Sequence, residues 1–198
     1  MMDVIDALTG RRSQYRLVAP APGDQELFRL IEVAASAPDH GQLRPWRLVV
    51  QRGDTRVALG NAMAAGEGRK NGLREKPLRA PLLVAIVFSR ATRSPIPEWE
   101  QLAATSSVVF SLSLALHAHG WGSVWRTGTV VNRAAVRDFM RLEKHEQLLG
   151  WLYIGTPEQG YQPPPRKPLD LSANVSVCTT ADGWPGEWPV AEPAAREV

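Results

Sequence analysis

The spacing of apolar positions changes period from one segment of the chain to the next. Over 24–36, Leu27, Leu30, Ile31 and Ala34 fall at i, i+3, i+4 and i+7, one face of a helix. Asp24 can cap its start, and Pro38 stops the chain beyond it. A shorter helix is expected over 3–9, with Asp3 as N-cap and Val4, Ile5 and Leu8 on one face, ending at Gly10. Two more helices are expected over 54–66, capped by Asp54, and over 133–141, capped by Asn132, with Val136, Phe139 and Met140 turned inward. Other segments lack that period. Residues 46–51, WRLVVQ, are short and β-branched, the mark of a strand. The run LLVAIVF over 82–88 is continuously apolar and has the pattern of a strand buried on both faces. A third buried strand is expected over 147–155, ended by Thr156-Pro157, and Gly122 to Gly128 form a turn or strand. The Gly- and base-rich stretch 67–77 reads as a loop or short helix.

Residues 98–119 form the longest expected helix, closed by Gly120. No Asp, Glu, Lys or Arg occurs from Gln101 to Trp125, a length that would allow a membrane span. Gln101, Thr105, Ser106, Ser107, Ser111, Ser113, His117 and His119 interrupt it, so a buried central helix is the better reading. In a short chain a partner subunit is a natural source of the apolar surface such a helix needs. Strands alternating with helices indicate an α/β or α+β sheet covered by helices.

Composition narrows the class further. The chain has 198 residues, 44% hydrophobic and 22% charged, which suits one globular domain and excludes a disordered, collagen-like or coiled-coil chain. Cys178 is the single cysteine, so no intramolecular disulfide forms and a reducing compartment is expected. The N-terminus carries two acids before any base and no apolar stretch of signal length, which points to a cytoplasmic protein. The formal net charge is only +3, and the Arg residues are scattered, so a nucleic-acid module is not supported. From Glu158 onward the prolines of QPPPRKPLD favour extended chain. The expected organisation is a domain over 1–171 and a C-terminal arm or tail over 172–198, which holds Trp184 and Trp188.

No recurrent metal spacing, Walker loop, GxGxxG or G-x-S-x-G occurs, and no catalytic triad is marked. His117 and His119, at i and i+2, point to different faces and suit helix-end residues better than ligands. Three constellations carry chemistry instead. Arg11-Arg12-Ser13 follows a helix directly and offers several donors to one anion, which arginine can grip bidentately; a solvated pair at the helix C-terminus would look the same. Ala37-Pro38-Asp39-His40 with Arg44-Pro45-Trp46 joins a helix end to a strand start, a place suited to a ligand or to a proline-stiffened loop. Trp121 to Gly128 brings glycines that allow close approach, with Trp125 and Arg126 for stacking and charge, or makes a Trp-rich core turn.

Taken together, these segments resemble the nitroreductase-like FMN flavoproteins, especially their short, minimal subgroup. The order is R-R-S at Arg11-Arg12-Ser13, A-P-D-H at Ala37-Pro38-Asp39-His40, R-A-P at Arg79-Ala80-Pro81, W-E-Q at Trp99-Glu100-Gln101, the glycine-rich turn at Gly120 to Gly128, and Leu152 to Pro157. The likeness covers about residues 3–170. It implies an α+β fold with a central, mostly antiparallel sheet flanked by helices, and a homodimer holding FMN at the subunit interface. It implies that Arg11, Arg12 and Ser13 grip phosphate and ribityl chain, that Pro38, Asp39, His40 and Gln42 reach the flavin from the other subunit, and that Trp125, Arg126 and Thr127 cover its edge. Arg166, before Lys167-Pro168-Leu169-Asp170, matches a phosphate ligand of larger relatives or belongs to a basic linker. The implied activity is NADH or NADPH oxidation with hydride transfer through flavin N5, in ping-pong order, to nitro compounds or quinones. No side chain is required as catalytic acid or base, although His40 could donate a proton. Desaturation or dehalogenation of one metabolite, and FMN binding without turnover, are the alternatives.

Overall fold

In chain order the elements are α1 (Val4–Gly10), β1 (Leu17–Val18), α2 (Asp24–Ala34), β2 (Trp46–Gln51), α3 (Asp54–Met63), β3 (Leu82–Ser89), α4 (Glu98–Ala118), β4 (Gly122–Arg126), α5 (Ala134–Phe139) and β5 (Glu146–Pro157). The structure is a computed structural model and describes residues 2–66 and 72–178. Part of the segment expected as a loop or short helix, 67–71, and the tail over 179–198 with its two tryptophans lie outside the described residues. The chain divides into two compact units, Met1–Pro163 and Pro164–Val198. All ten elements belong to the first.

Every pairing in the sheet is antiparallel: β2 with β3, β3 with β5, and both β4 and β1 with β5. That settles the choice between α/β and α+β in favour of α+β. Strand β3 is buried along almost its whole length, as its sequence predicts. Leu83, Ala85 and Val87 enter one core, and Leu82, Val84 and Ile86 enter the other. Each large apolar side chain removed from water here contributes roughly 1.5–3 kcal/mol. Helices α2 and α4 cover one face through Leu27, Leu30, Val108, Leu112 and Leu116. Helices α3 and α5 cover the other through Leu59, Met63 and Val136.

Strand β5 carries an irregularity that matters for the site. Ile86 pairs with Gly150 and Val87 with Leu148, so Leu149 is an extra residue and the alternation of faces shifts there. Leu148 thereby joins Trp151 and Tyr153 in the same core. Gly150 has φ +119°, and a Cβ there would lie 2.3 Å from the Arg126 carbonyl oxygen. Only glycine lets β5 pass so close to the end of β4. The Trp125 indole donates to the Leu149 carbonyl at 3.2 Å, fixing the same junction from the other side.

Several local expectations change. Asp3 does cap α1, its Oδ1 accepting the Asp6 N–H at 2.8 Å. Asp24 and Asp54, however, are the first helical residues, and Gly23 and Gly53 hold the cap positions. The Asp24 carboxylate instead accepts Arg52 Nε at 3.0 Å, and an acid in the first turn still suits the helix dipole. Asn132 belongs to a 3-10 turn over Thr129–Asn132, and Arg133 occupies the cap of α5. Helices α2 and α3 stop at Ala34 and Met63, short of the expected ends at 36 and 66. Strand β1 and the 3-10 turns His40–Gln42 and Lys76–Arg79 are too short to leave a periodic signal.

Helix α4 was expected to be buried all round. It packs Ala104, Val108, Val109, Leu112 and Leu116 into the core, while Trp99 and Phe110 on other sides are 68% and 50% exposed. A single sheet face can cover only one side of a helix. By length and composition α4 could also cross a membrane, a test that a core helix passes equally.

In the second unit, Leu171–Ala173 form a 3-10 turn. Asp170 accepts the Ser172 backbone N–H at 3.0 Å and its hydroxyl at 2.7 Å, which holds the Asp170 carboxyl below the usual carboxylate range.

Candidate active site

Apart from Arg166, the residues picked out from the sequence fall at three places in the first unit. The first follows α1. Ser13 bridges Ser123 in parallel fashion, and the Gln14 N–H donates to the Ser123 carbonyl at 3.0 Å, docking the segment beside β4. Arg11 and Arg12 line a cavity of about 220 Å³ together with Gln14, His117 and Ser123. Gln14 Oε1 and His117 Nε2 are buried without a hydrogen-bond partner. Burial, reinforced by the Arg11 charge, holds the His117 imidazole below its usual range.

The second place is the proline-led loop after α2. Asp39 Oδ2 accepts the Arg44 N–H at 2.7 Å and closes the loop on itself. Gly41 turns it with φ +69°, and Gln42 and Arg44 also take left-handed conformations, at +50° and +48°. Side-chain-bearing residues in that region store strain, which surrounding structure must hold. Pro38, Asp39, Gln42 and Arg44 line a cavity of about 350 Å³. His40 lies outside that lining, with Nδ1 2.7 Å from Glu100 Oε2.

The third place is the end of β4. Arg126, Thr127 and Gly128 line a cavity of about 370 Å³ with Lys76, Arg79 and Tyr153. The Arg126 guanidinium lies over two rings, 5.4 Å from the Tyr15 centroid and 5.3 Å from that of Tyr153. A cation within about 6 Å of a ring centroid is attracted by the ring's electron-rich face. Burial pushes the Tyr153 phenol up, opposed by the charges of Arg126 and Arg79. Arg126 Nε is buried with no hydrogen-bond partner. None of Lys76, Arg79 and Arg126 pairs with an acid among the described residues. Three uncompensated cations around one cavity make it a receptor for an anion. A shallower groove of about 480 Å³ adjoins it, sharing Arg79 and Arg126 and adding Tyr15, Arg16 and Glu158.

Lys76 and Arg79 were missed by sequence reasoning. Arg79 stood in the R-A-P motif without an assigned role, and Lys76 stood in a stretch read as a loop or short helix. Their spacing was the available signal, because residues i and i+3 of a 3-10 turn eclipse one another on one face. Of the predicted residues, Arg126 and Thr127 share one cavity, Arg11 and Arg12 another, and Pro38, Asp39 and Gln42 a third. Ser13, His40 and Trp125 line none of these. Arg166 is exposed and belongs to the second unit, in its extended proline-rich stretch. Among the described residues no group of three or more His, Cys, Asp and Glu could hold a metal ion.

An antiparallel sheet sandwiched by helices, with a cation-lined cavity at the end of β4, defines an α+β protein built to hold an anionic ligand. The chain belongs to the nitroreductase family, whose model, Nitroreductase family, matches residues 8–156. It is 33% identical over 164 residues to the Escherichia coli (strain K12) protein named Putative NAD(P)H nitroreductase YdjA, covering 79% of this chain and 90% of that one. The fold matches a nitroreductase-like family protein of Bacillus cereus with a TM-score of 0.77 at 20% identity, over 89% of this chain and 96% of that one. It also matches a putative nitroreductase of Desulfovibrio desulfuricans in complex with FMN, at 26% identity and a TM-score of 0.64, over 84% and 92% of the two chains.

Proposed function

We propose that this nitroreductase-family chain is a cytoplasmic, homodimeric, FMN-dependent NAD(P)H oxidoreductase that reduces nitro compounds or quinones. The observation that carries the reading is the cavity lined by Lys76, Arg79 and Arg126. Its volume of about 370 Å³ falls in the usual range for small-molecule sites, about 300–1,000 Å³. Among the described residues, a buried guanidinium nitrogen without a hydrogen-bond partner and three cations that pair with no acid fit an anionic, oxygen-rich group such as FMN. When bound, FMN supplies a two-electron carrier that takes a hydride at N5 and yields it to the acceptor.

The chain's own residues then bind and orient. Lys76, Arg79 and Arg126 supply positive charge, and the Arg126 guanidinium lies over the rings of Tyr15 and Tyr153. Thr127 and the Gly128 backbone border the same space, with Trp125 anchored behind them. Arg11, Arg12 and Ser13 would hold the phosphate end. Pro38, Asp39, His40 and Gln42 would come from the second protomer. The separation of the predicted residues into three cavities of one chain supports a site completed by two copies. Nicotinamide and acceptor would occupy the same space in turn.

The test is the visible spectrum of the purified protein. It should be yellow, release FMN on heating, and bleach with NADH or NADPH without oxygen. Steady-state double-reciprocal plots at several acceptor concentrations should be parallel. A colourless protein that takes up no added FMN would overturn the reading, and FMN binding without NAD(P)H oxidation would make it a binding protein.

A further inference from the structure

The W-E-Q triplet that opens α4 separates into three different roles. Gln101 is buried, its Oε1 accepting the Ala91 N–H and its Nε2 donating to the Ile96 carbonyl, both at 2.9 Å. It ties down the segment leading into the helix. Trp99 is exposed. Glu100 Oε2 lies 2.7 Å from His40 Nδ1, and Glu100 pairs with no other cation among the described residues. The two elements that carry this pair are themselves locked together. Thr105 Oγ1, one turn further along α4, donates to the Pro45 carbonyl at 3.0 Å, and a Cβ at Gly41 would lie 2.9 Å from Ile96 Cδ1, so the loop packs against the residues that lead into α4. Two-thirds of the His40 side chain is exposed, against 26% for Glu100.

We propose that Glu100 is a positioning residue: its carboxylate accepts the Nδ1 proton of His40, fixes the ring, and leaves Nε2 as the nitrogen that meets the bound ligand and exchanges protons. A hydrogen bond at one ring nitrogen dictates which nitrogen remains available. The inference rests on the preceding reading, in which the His40 loop faces the FMN site. That reading requires a proton with each hydride. For a quinone, NAD(P)H plus quinone plus one proton gives NAD(P)+ plus hydroquinone. The hydride comes from the nicotinamide. The proton comes from the protonated ring at Nε2 and is replaced from water, which the exposed ring can reach.

The experiment uses the full chain with 15N-labelled histidine. Long-range nitrogen–proton spectra of the neutral ring should show His40 protonated at Nδ1 in the native protein and in Glu100→Gln, whose Oε1 still accepts, and at Nε2 in Glu100→Ala. In turnover, Glu100→Ala should lower kcat about tenfold with KM for NAD(P)H unchanged, and should add nothing to His40→Ala. An unchanged ring proton in Glu100→Ala, or additive losses in the double variant, would overturn the positioning role. Should the native protein bind no FMN, the functional reading fails while the ring-proton result still decides the role of Glu100.

Discussion

Arg126 illustrates how much of this site depends on single residues held by their neighbours. Its charge lies over two tyrosine rings and pairs with no acid among the described residues, so an anion in the cavity gains a partner already in place. Arg126→Met, which keeps length and removes charge, should weaken FMN binding about tenfold to a hundredfold, the loss of a charge-assisted hydrogen bond of about 1.5–3 kcal/mol. Fluorescence titration of the FMN-free protein checks this, and equal affinity would reject the role. A second residue-scale effect lies away from the site. Arg47 Nε and NH2 donate to the two oxygens of Glu146, at 2.9 and 2.6 Å. The Glu146 side chain is 6% exposed, and this bond, against the cost of burial, holds its carboxyl at about 2 instead of 4.5. The folded value lies below the unfolded one, so the stabilisation is present above about pH 4.5 and is lost as pH falls towards 2. The contribution is on the order of 2 kcal/mol once screening at the 39% exposed Arg47 is counted. Denaturant unfolding at pH 3 and 7 should show a smaller difference for Glu146→Gln than for the native protein.

Among the elements, β5 decides the geometry of the site. Its extra residue at Leu149 and the glycine beside it place the end of β4 against β5. Gly150→Ala puts a Cβ into the Arg126 carbonyl and a side chain at φ +119°, so it should destabilise by more than about 1 kcal/mol and weaken FMN binding together. Thermal unfolding and flavin titration measure the two effects. Loss of stability with unchanged affinity would separate the bulge from the site. The elements also differ in how far they could be foreseen. Helix α2 and strand β3 stand where their periods place them, because each buries a long, regular face. The caps at Asp24 and Asp54 did not hold, because an aspartate serves nearly as well one position inside the helix, where Asp24 also meets Arg52.

For the whole molecule, the question is what covers α4 and α1. Val4 and Ile5 are 64% and 63% exposed on α1, and Trp99 and Phe110 are exposed on α4. A second copy laid over these faces would remove apolar surface from water. Sedimentation at low micromolar concentration should show a dimer, and Phe110→Glu should give a monomer that no longer retains FMN. A compact native monomer loaded with FMN would contradict the shared site.

By itself the chain's sequence determined the buried strand at 82–88, the core face of α2, and the order of motifs that marks the family. These are readable because they depend on local period and on residue types close together in the chain. Only the tertiary structure decided that every strand is antiparallel, that Lys76 and Arg79 join Arg126, and that His40 meets Glu100. Pairing direction leaves no trace in a single strand's composition. Residues 47 and 60 positions apart become neighbours only when the sheet and helices are packed.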